Sequence, residues 1–170
     1  RGDDRGCAAV HHAAPVQDGI PTSPSFAGVT LSNVRINDGD NTEFVSPGSI
    51  FSLSMDYSIV DPGCPNCIDE IEIAFSTDSA PLTCIYTGIP GVEGVSGSAT
   101  IEVTAPTTPG IYYLGFDRAQ HYSCGEALAA GWWNGAPDSS RYIASVVIAT
   151  QVVTSAADTD DGYCNVDGCT

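Results

Sequence analysis

Alternation with a period of two runs through the middle of the chain. Ile50–Val60 sets Phe51, Leu53, Met55, Tyr57 and Ile59 on one side and Ser52, Ser54, Asp56 and Ser58 on the other, which predicts a strand with one face in a core. Ile68–Thr77 follows the same rule, with Ile71, Ile73 and Phe75 opposed to Glu70 and Glu72, and the two acids are expected to point outward into water. Ala99–Ala105 sets Ile101 and Val103 against Thr100, Glu102 and Thr104. Phe26–Ile36 alternates more loosely, Leu82–Thr87 is short, and Ile111–Asp117 and Tyr142–Val153 are continuously apolar, as central strands are.

About seven strands are therefore expected between residues 26 and 153, separated by Pro/Gly punctuation such as Ser46-Pro47-Gly48, Asp61-Pro62-Gly63 and Thr108-Pro109-Gly110. Many short strands with almost no helical period point to an all-β, two-sheet sandwich. One helical signal interrupts it. Ser123 and Glu126 form a capping box, Leu128 and two alanines follow, and Gly131 stops the run, so a short helix is expected inside a long loop. Residues 1–25 lack a period and read as an extended arm; residues 154–170 form an acidic tail.

Charge and cysteine content narrow the function. With 21 Asp+Glu against five Lys+Arg, the net charge of −16 repels phosphate backbones and anionic lipid and attracts cations such as Ca²⁺. Nucleic-acid partners are not expected. Lysine is absent, so Schiff-base and P-loop chemistry are excluded. No run of about 18 apolar residues occurs, and membrane insertion is not expected. Seven cysteines in a chain of this size suggest an oxidising, extracellular compartment. A start at Arg1 rather than Met fits a processed or excerpted product of a larger precursor.

Two stretches resemble known bacterial sequences. Cys64-Pro65-Asn66-Cys67-Ile68, Cys84-Ile85-Tyr86, Gly115-Phe116-Asp117-Arg118, Tyr122-Ser123-Cys124 and Gly131-Trp132-Trp133-Asn134-Gly135 together resemble an Ig-like module of large secreted bacterial surface proteins, over roughly residues 26–150. Val152-Val153-Thr154-Ser155-Ala156-Ala157-Asp158, Asp161-Gly162-Tyr163-Cys164 and Asp167-Gly168-Cys169-Thr170 are similar to the start of the CSLREA motif, which opens parallel β-helix regions in adhesin-like proteins. These residues end before any Leu-Arg-Glu-Ala, so no β-helix is expected within them. The resemblances imply an Ig-like fold, a secreted or cell-surface location, and a paired Cys164 and Cys169.

The remaining cysteines admit several readings. Cys64-x-x-Cys67 matches a redox motif or half a zinc site, yet no helix follows it and no second Cys pair accompanies it, which favours structural disulfides. Strand adjacency favours Cys67–Cys84 with Cys64–Cys124 among three pairings. Cys7 is left over and is the candidate for an intermolecular bond. Asp158, Asp160 and Asp161 precede Gly162 as in a calcium loop, but the twelfth position is Cys169 rather than Glu; Asn37-Asp38-Gly39-Asp40-Asn41 is a second oxygen-rich turn.

Tyr122, Trp132 and Trp133 are the candidate ligand platform, suited to sugar stacking, to a protein hot spot, or simply to plugging the sandwich end. No Gly-x-Ser-x-Gly, no His-Glu-x-x-His and no opposed pair of acids is evident, so an enzyme is not expected. The reading that follows is an extracellular structural or adhesive subunit that polymerises with copies of itself. Ala8, Ala9 and Val10 or Gln151, Val152 and Val153 would add a strand to a neighbour's open sheet edge. The alternative is a carbohydrate-binding module.

Overall fold

The computed structural model describes residues 20–149 together with the two-residue strands Cys164–Asn165 and Gly168–Cys169. Strands β1 (Ser25–Phe26), β2 (Val29–Ile36), β4 (Ile50–Ile59) and β7 (Val95–Thr104) form a four-stranded antiparallel sheet in the order β1-β2-β4-β7. Strands β3 (Thr42–Phe44), β5 (Asp69–Phe75), β6 (Thr83–Gly88), β8 (Gly110–Ala119) and β9 (Tyr142–Ile148) form a five-stranded sheet in the order β3-β9-β8-β5-β6. Its pairs are antiparallel except β3 with β9.

The two sheets face each other across one core, so the expected all-β sandwich is present. Leu31, Phe51, Leu53, Met55 and Ile59 from the first sheet meet Ile71, Ile73, Leu114, Phe116 and Ile143 from the second, all buried. Each such side chain contributes roughly 1.5–3 kcal/mol relative to exposure. The alternation in β4 holds as read: Phe51, Leu53, Met55 and Ile59 are buried and Tyr57 packs against them.

Three details differ from the sequence expectation. The short strands β1 and β3 are too brief to show a period. Strand β7 begins at Val95, because register with β4 (Ile59↔Val95 through Ile50↔Thr104) extends pairing through Ser96-Gly97-Ser98, where the side chains carry no apolar signal. Strand β9 ends at Ile148.

The expected helix is α1 (Cys124–Ala130). Ser123 Oγ accepts from the Glu126 amide, and Glu126 Oε2 reaches back to the Tyr122 amide. Gly131 closes the helix at φ 82°, a left-handed conformation that glycine adopts without strain. No helix among the described residues is long and apolar enough to cross a membrane.

Residues 120–137 lie across the outer face of the five-stranded sheet. Pro137 sits so close over Gly115 that a Cβ there would stand 2.5 Å from its ring.

Candidate functional site

The chemistry gathers where β5 and β8 end beneath this loop. Consecutive residues of a strand face opposite sides, and β8 uses that rule to place Asp117 and Arg118 on different faces. Arg118 turns toward the sandwich end. Its Nε and one terminal nitrogen donate to Asp69 Oδ1 at 2.9 and 2.7 Å, it pairs with Asp61 Oδ2 at 2.6 Å, and it donates to the Ala27 carbonyl. Asp61 in turn caps the following turn, its Oδ1 accepting from the amides of Gly63 and Cys64, while Oδ2 also accepts from Gln120.

On the other face Asp117 stands opposite Glu72 in the β5–β8 register, with Glu70 two residues along. The sequence pattern places Glu70 and Glu72 in water. The structure corrects this: both are fully buried, because residues 120–137 cover the sheet face that alternation alone would leave exposed. Asp117 is well served. It accepts from the Asn134 amide at 2.7 Å, from Asn134 Nδ2 at 3.0 Å and from Arg141 at 3.0 Å. Glu70 accepts one bond, from the His121 amide.

Glu72 has no such partner. Both of its carboxylate oxygens, Glu70 Oε1 and His121 Nε2 are buried without a hydrogen bond. Burial, then repulsion from Asp117 and Glu70, pushes the Glu72 carboxyl up to about 7, against a small opposing effect of the Trp133 amide, which approaches short of a regular hydrogen bond. Burial likewise raises Glu70 and Asp69, despite the His121 amide beside the first and Arg118 beside the second.

The disulfides are Cys64–Cys67 and Cys84–Cys124, not the expected Cys67–Cys84 with Cys64–Cys124. Strand register gives the reason. Asp69 pairs with Gly88 and Glu72 with Cys84, so Cys67 lies five residues along the ladder from Cys84's partner, on the order of 16 Å at 3.3 Å per residue. That is far beyond disulfide reach. Cys84, level with Glu72, instead meets the first residue of α1 and ties the loop to β6. The tight turn in which the Cys67 amide donates to the Cys64 carbonyl brings the other two together.

The three aromatic candidates do not form one platform. Trp132 Nε1 donates to the Asp78 carbonyl and ties the loop down. Trp133 points the other way, 51% exposed, with its ring edge-on to His121 at 5.0 Å. It walls a cavity of about 380 Å³ together with Asp61, Arg118, Gln120 and Asn134. Tyr122, 85% exposed, borders a second cavity of about 390 Å³ with Cys67, His121 and the same Gln120. Gln120 joins the two into a groove between the 61–67 turn and the 120–134 loop. The planar polar groups on its floor are legible in the sequence as types but lie scattered over some seventy positions, and only the fold brings them together.

Among the described residues, Asp61, Cys64 and Cys67 are the three ligand-type groups that approach one another closely, within 4.8 Å, and the two sulfurs are bonded to each other. The 37–41 segment is a tight turn in which Asn37 Oδ1 accepts from the Ser52 amide. In the tail, the Cα atoms of Cys164 and Cys169 are antiparallel partners. Cys7, Ala8, Ala9, Val10, Gln151, Val152, Val153, Asp158, Asp160 and Asp161 lie outside the described residues. No family model, curated protein or solved structure matches the chain.

Proposed function

We propose that this chain is an extracellular adhesive module, a disulfide-braced sandwich that offers the groove between residues 61–67 and 120–134 to a neutral oligosaccharide. The observation that carries the reading is Trp133, half exposed at the wall of a cavity whose floor holds Asp61, Arg118, Gln120 and Asn134. A sugar ring presents an apolar face that stacks on an indole and a rim of hydroxyls that pair with planar polar side chains. The net charge of −16 selects against uronic-acid or sulfated polymers. The two disulfides and the likeness to Ig-like and CSLREA-bearing surface proteins fit a secreted or cell-surface setting.

The reading is of a binding module, not an enzyme. Glu70 and Glu72 are sealed beneath the loop and Asp61 is held by four donors, so among the described residues no pair of carboxyls faces across the groove. A glycan array of neutral and acidic oligosaccharides tests it. Wild-type protein is expected to be retained on neutral glycans, with retention lost in Trp133→Ala and kept in Trp132→Phe. No retention of the wild type by any glycan ends the reading.

A second reading, self-assembly into a fibre or surface layer, is favoured by β7. This ten-residue strand closes one edge of its sheet, pairs among the described residues with β4 alone, and carries no Pro or Lys to blunt the edge. Removing residues 1–25 is then expected to turn polymers seen by negative-stain microscopy into monomers; polymers that survive the deletion contradict it.

A further inference from the structure

We infer that the groove is proton-gated: protonated Glu72 lets the 120–134 loop seat on the β5–β8 face, and ionised Glu72 unseats it, taking His121, Trp133 and Asn134 out of the groove wall. The gate rests on the groove reading for its purpose, but its mechanics stand on contacts alone.

The loop is fastened to the sheet at two points through the acids, with the Asn134 side chain also donating to the Arg118 carbonyl. His121 reaches Glu70 through its amide, and Asn134 reaches Asp117 through its amide and its side chain. Glu72 lies between these two attachment points, opposite Asp117 and two residues from Glu70. Charged and titratable groups reach it from the elements packed around it. Strand β5 supplies Glu70, β8 supplies Asp117, and α1 supplies Glu126, which faces Glu70. Positive charge comes from Arg141 in the 3₁₀ turn Ser139–Arg141, which is committed to Asp117. The imidazole of His121 borders Glu70. Strand β6 contributes Cys84, whose bond to Cys124 does not titrate. Arg118 and Asp69 pair on the opposite face.

Three carboxyls thus share one guanidinium in a compartment closed to water. Asp117 takes that guanidinium, Glu70 takes an amide, and Glu72 has only the Trp133 amide, short of a regular hydrogen bond, to set against a charge. A buried neutral carboxyl is tolerated there; a buried carboxylate with two like charges beside it is not. The nearest relief is for water to enter, and water enters by lifting the loop off its two acid anchors. The Cys84–Cys124 bond and the Trp132–Asp78 bond keep α1 and its flank in place, so opening is confined to the groove wall. The carboxyl's elevation to about 7 places the transition near neutrality. Oligosaccharide is accordingly held below neutral pH and released above it.

The test reads Trp133 directly. Trp132 stays tied to the Asp78 carbonyl, so the change in indole emission of the unaltered free protein from pH 5 to 9 reports Trp133. Emission is expected to shift to the red with a midpoint near 7, and the Glu72→Gln variant is expected to stay at the acid-side value throughout. An unchanged midpoint in Glu72→Gln overturns the gate. Should Glu72→Gln fail to fold, ¹³C carboxyl NMR of the intact protein replaces it. One glutamate titrating between pH 6 and 8 together with the Asn134 amide supports the gate; none overturns it. A titrating Trp133 in a protein that retains no glycan at any pH removes the groove reading and leaves the gate standing.

Discussion

Asn134 holds Asp117 by both of its nitrogens, the backbone amide at 2.7 Å and Nδ2 at 3.0 Å. With Arg141 donating from a third direction, one carboxylate fixes the loop, the 3₁₀ turn and the end of β8 at once. Asp117→Ala removes all three attachments and leaves Arg141 buried with its charge unpaired. The cost is expected at about 3–5 kcal/mol, read as a lower midpoint in urea denaturation. A loss below about 1 kcal/mol contradicts the role given to Asp117.

The two disulfides are expected to differ in what they hold. The Cys84–Cys124 bond spans 40 residues and Cys64–Cys67 spans three. On loop-closure grounds the long one stabilises by roughly 4 kcal/mol and the short one by roughly 2 kcal/mol. Calorimetry of Cys84→Ser/Cys124→Ser should show the larger drop in melting temperature, and Cys64→Ser/Cys67→Ser the smaller. Peptide mapping of the intact protein should recover these two pairings and no Cys67–Cys84 peptide.

Stability is expected to fall with rising pH through a window set by Glu72. In the unfolded chain this carboxyl ionises around 4.5, whereas in the folded protein it holds its proton to about 7. Its folded value is raised, so the folded state carries the extra proton within that interval. Stability is therefore full below about pH 4.5, declines as pH climbs toward 7, and stays lower above it. Glu72→Gln removes the penalty. Matched urea titrations should give equal stabilities near pH 4.5 and an advantage for the variant of about 3 kcal/mol at pH 8. Equal stabilities at both pH values contradict the assignment.

Much of the fold was legible because burial and alternation coincide where a sheet has one dry face. Phe51, Leu53, Met55 and Ile59 are buried as their spacing requires, and the Ser123–Glu126 pair starts the helix it advertises. The same rule failed for Glu70 and Glu72. Alternation tells which residues share a face, not what covers that face, and the cover comes from residues some fifty positions away.

The cysteine pairing failed for a related reason. The pattern shows adjacent strands, but how far Cys67 lies along the ladder from Cys84 is a matter of register, which it leaves open. The pattern presents adjacent Trp132 and Trp133 as one surface; the turn that starts there, with the Gly135 amide donating to the Trp132 carbonyl, sends one ring to the Asp78 carbonyl and the other into the groove.

Hydrogen–deuterium exchange with and without the neutral glycan retained on the array tests the groove most directly. Protection is expected at residues 61–67 and 118–134 at pH 6, with the β7 edge Val95–Thr104 unchanged. Protection confined to β7, or to no part of the 61–67 and 118–134 segments, contradicts the account.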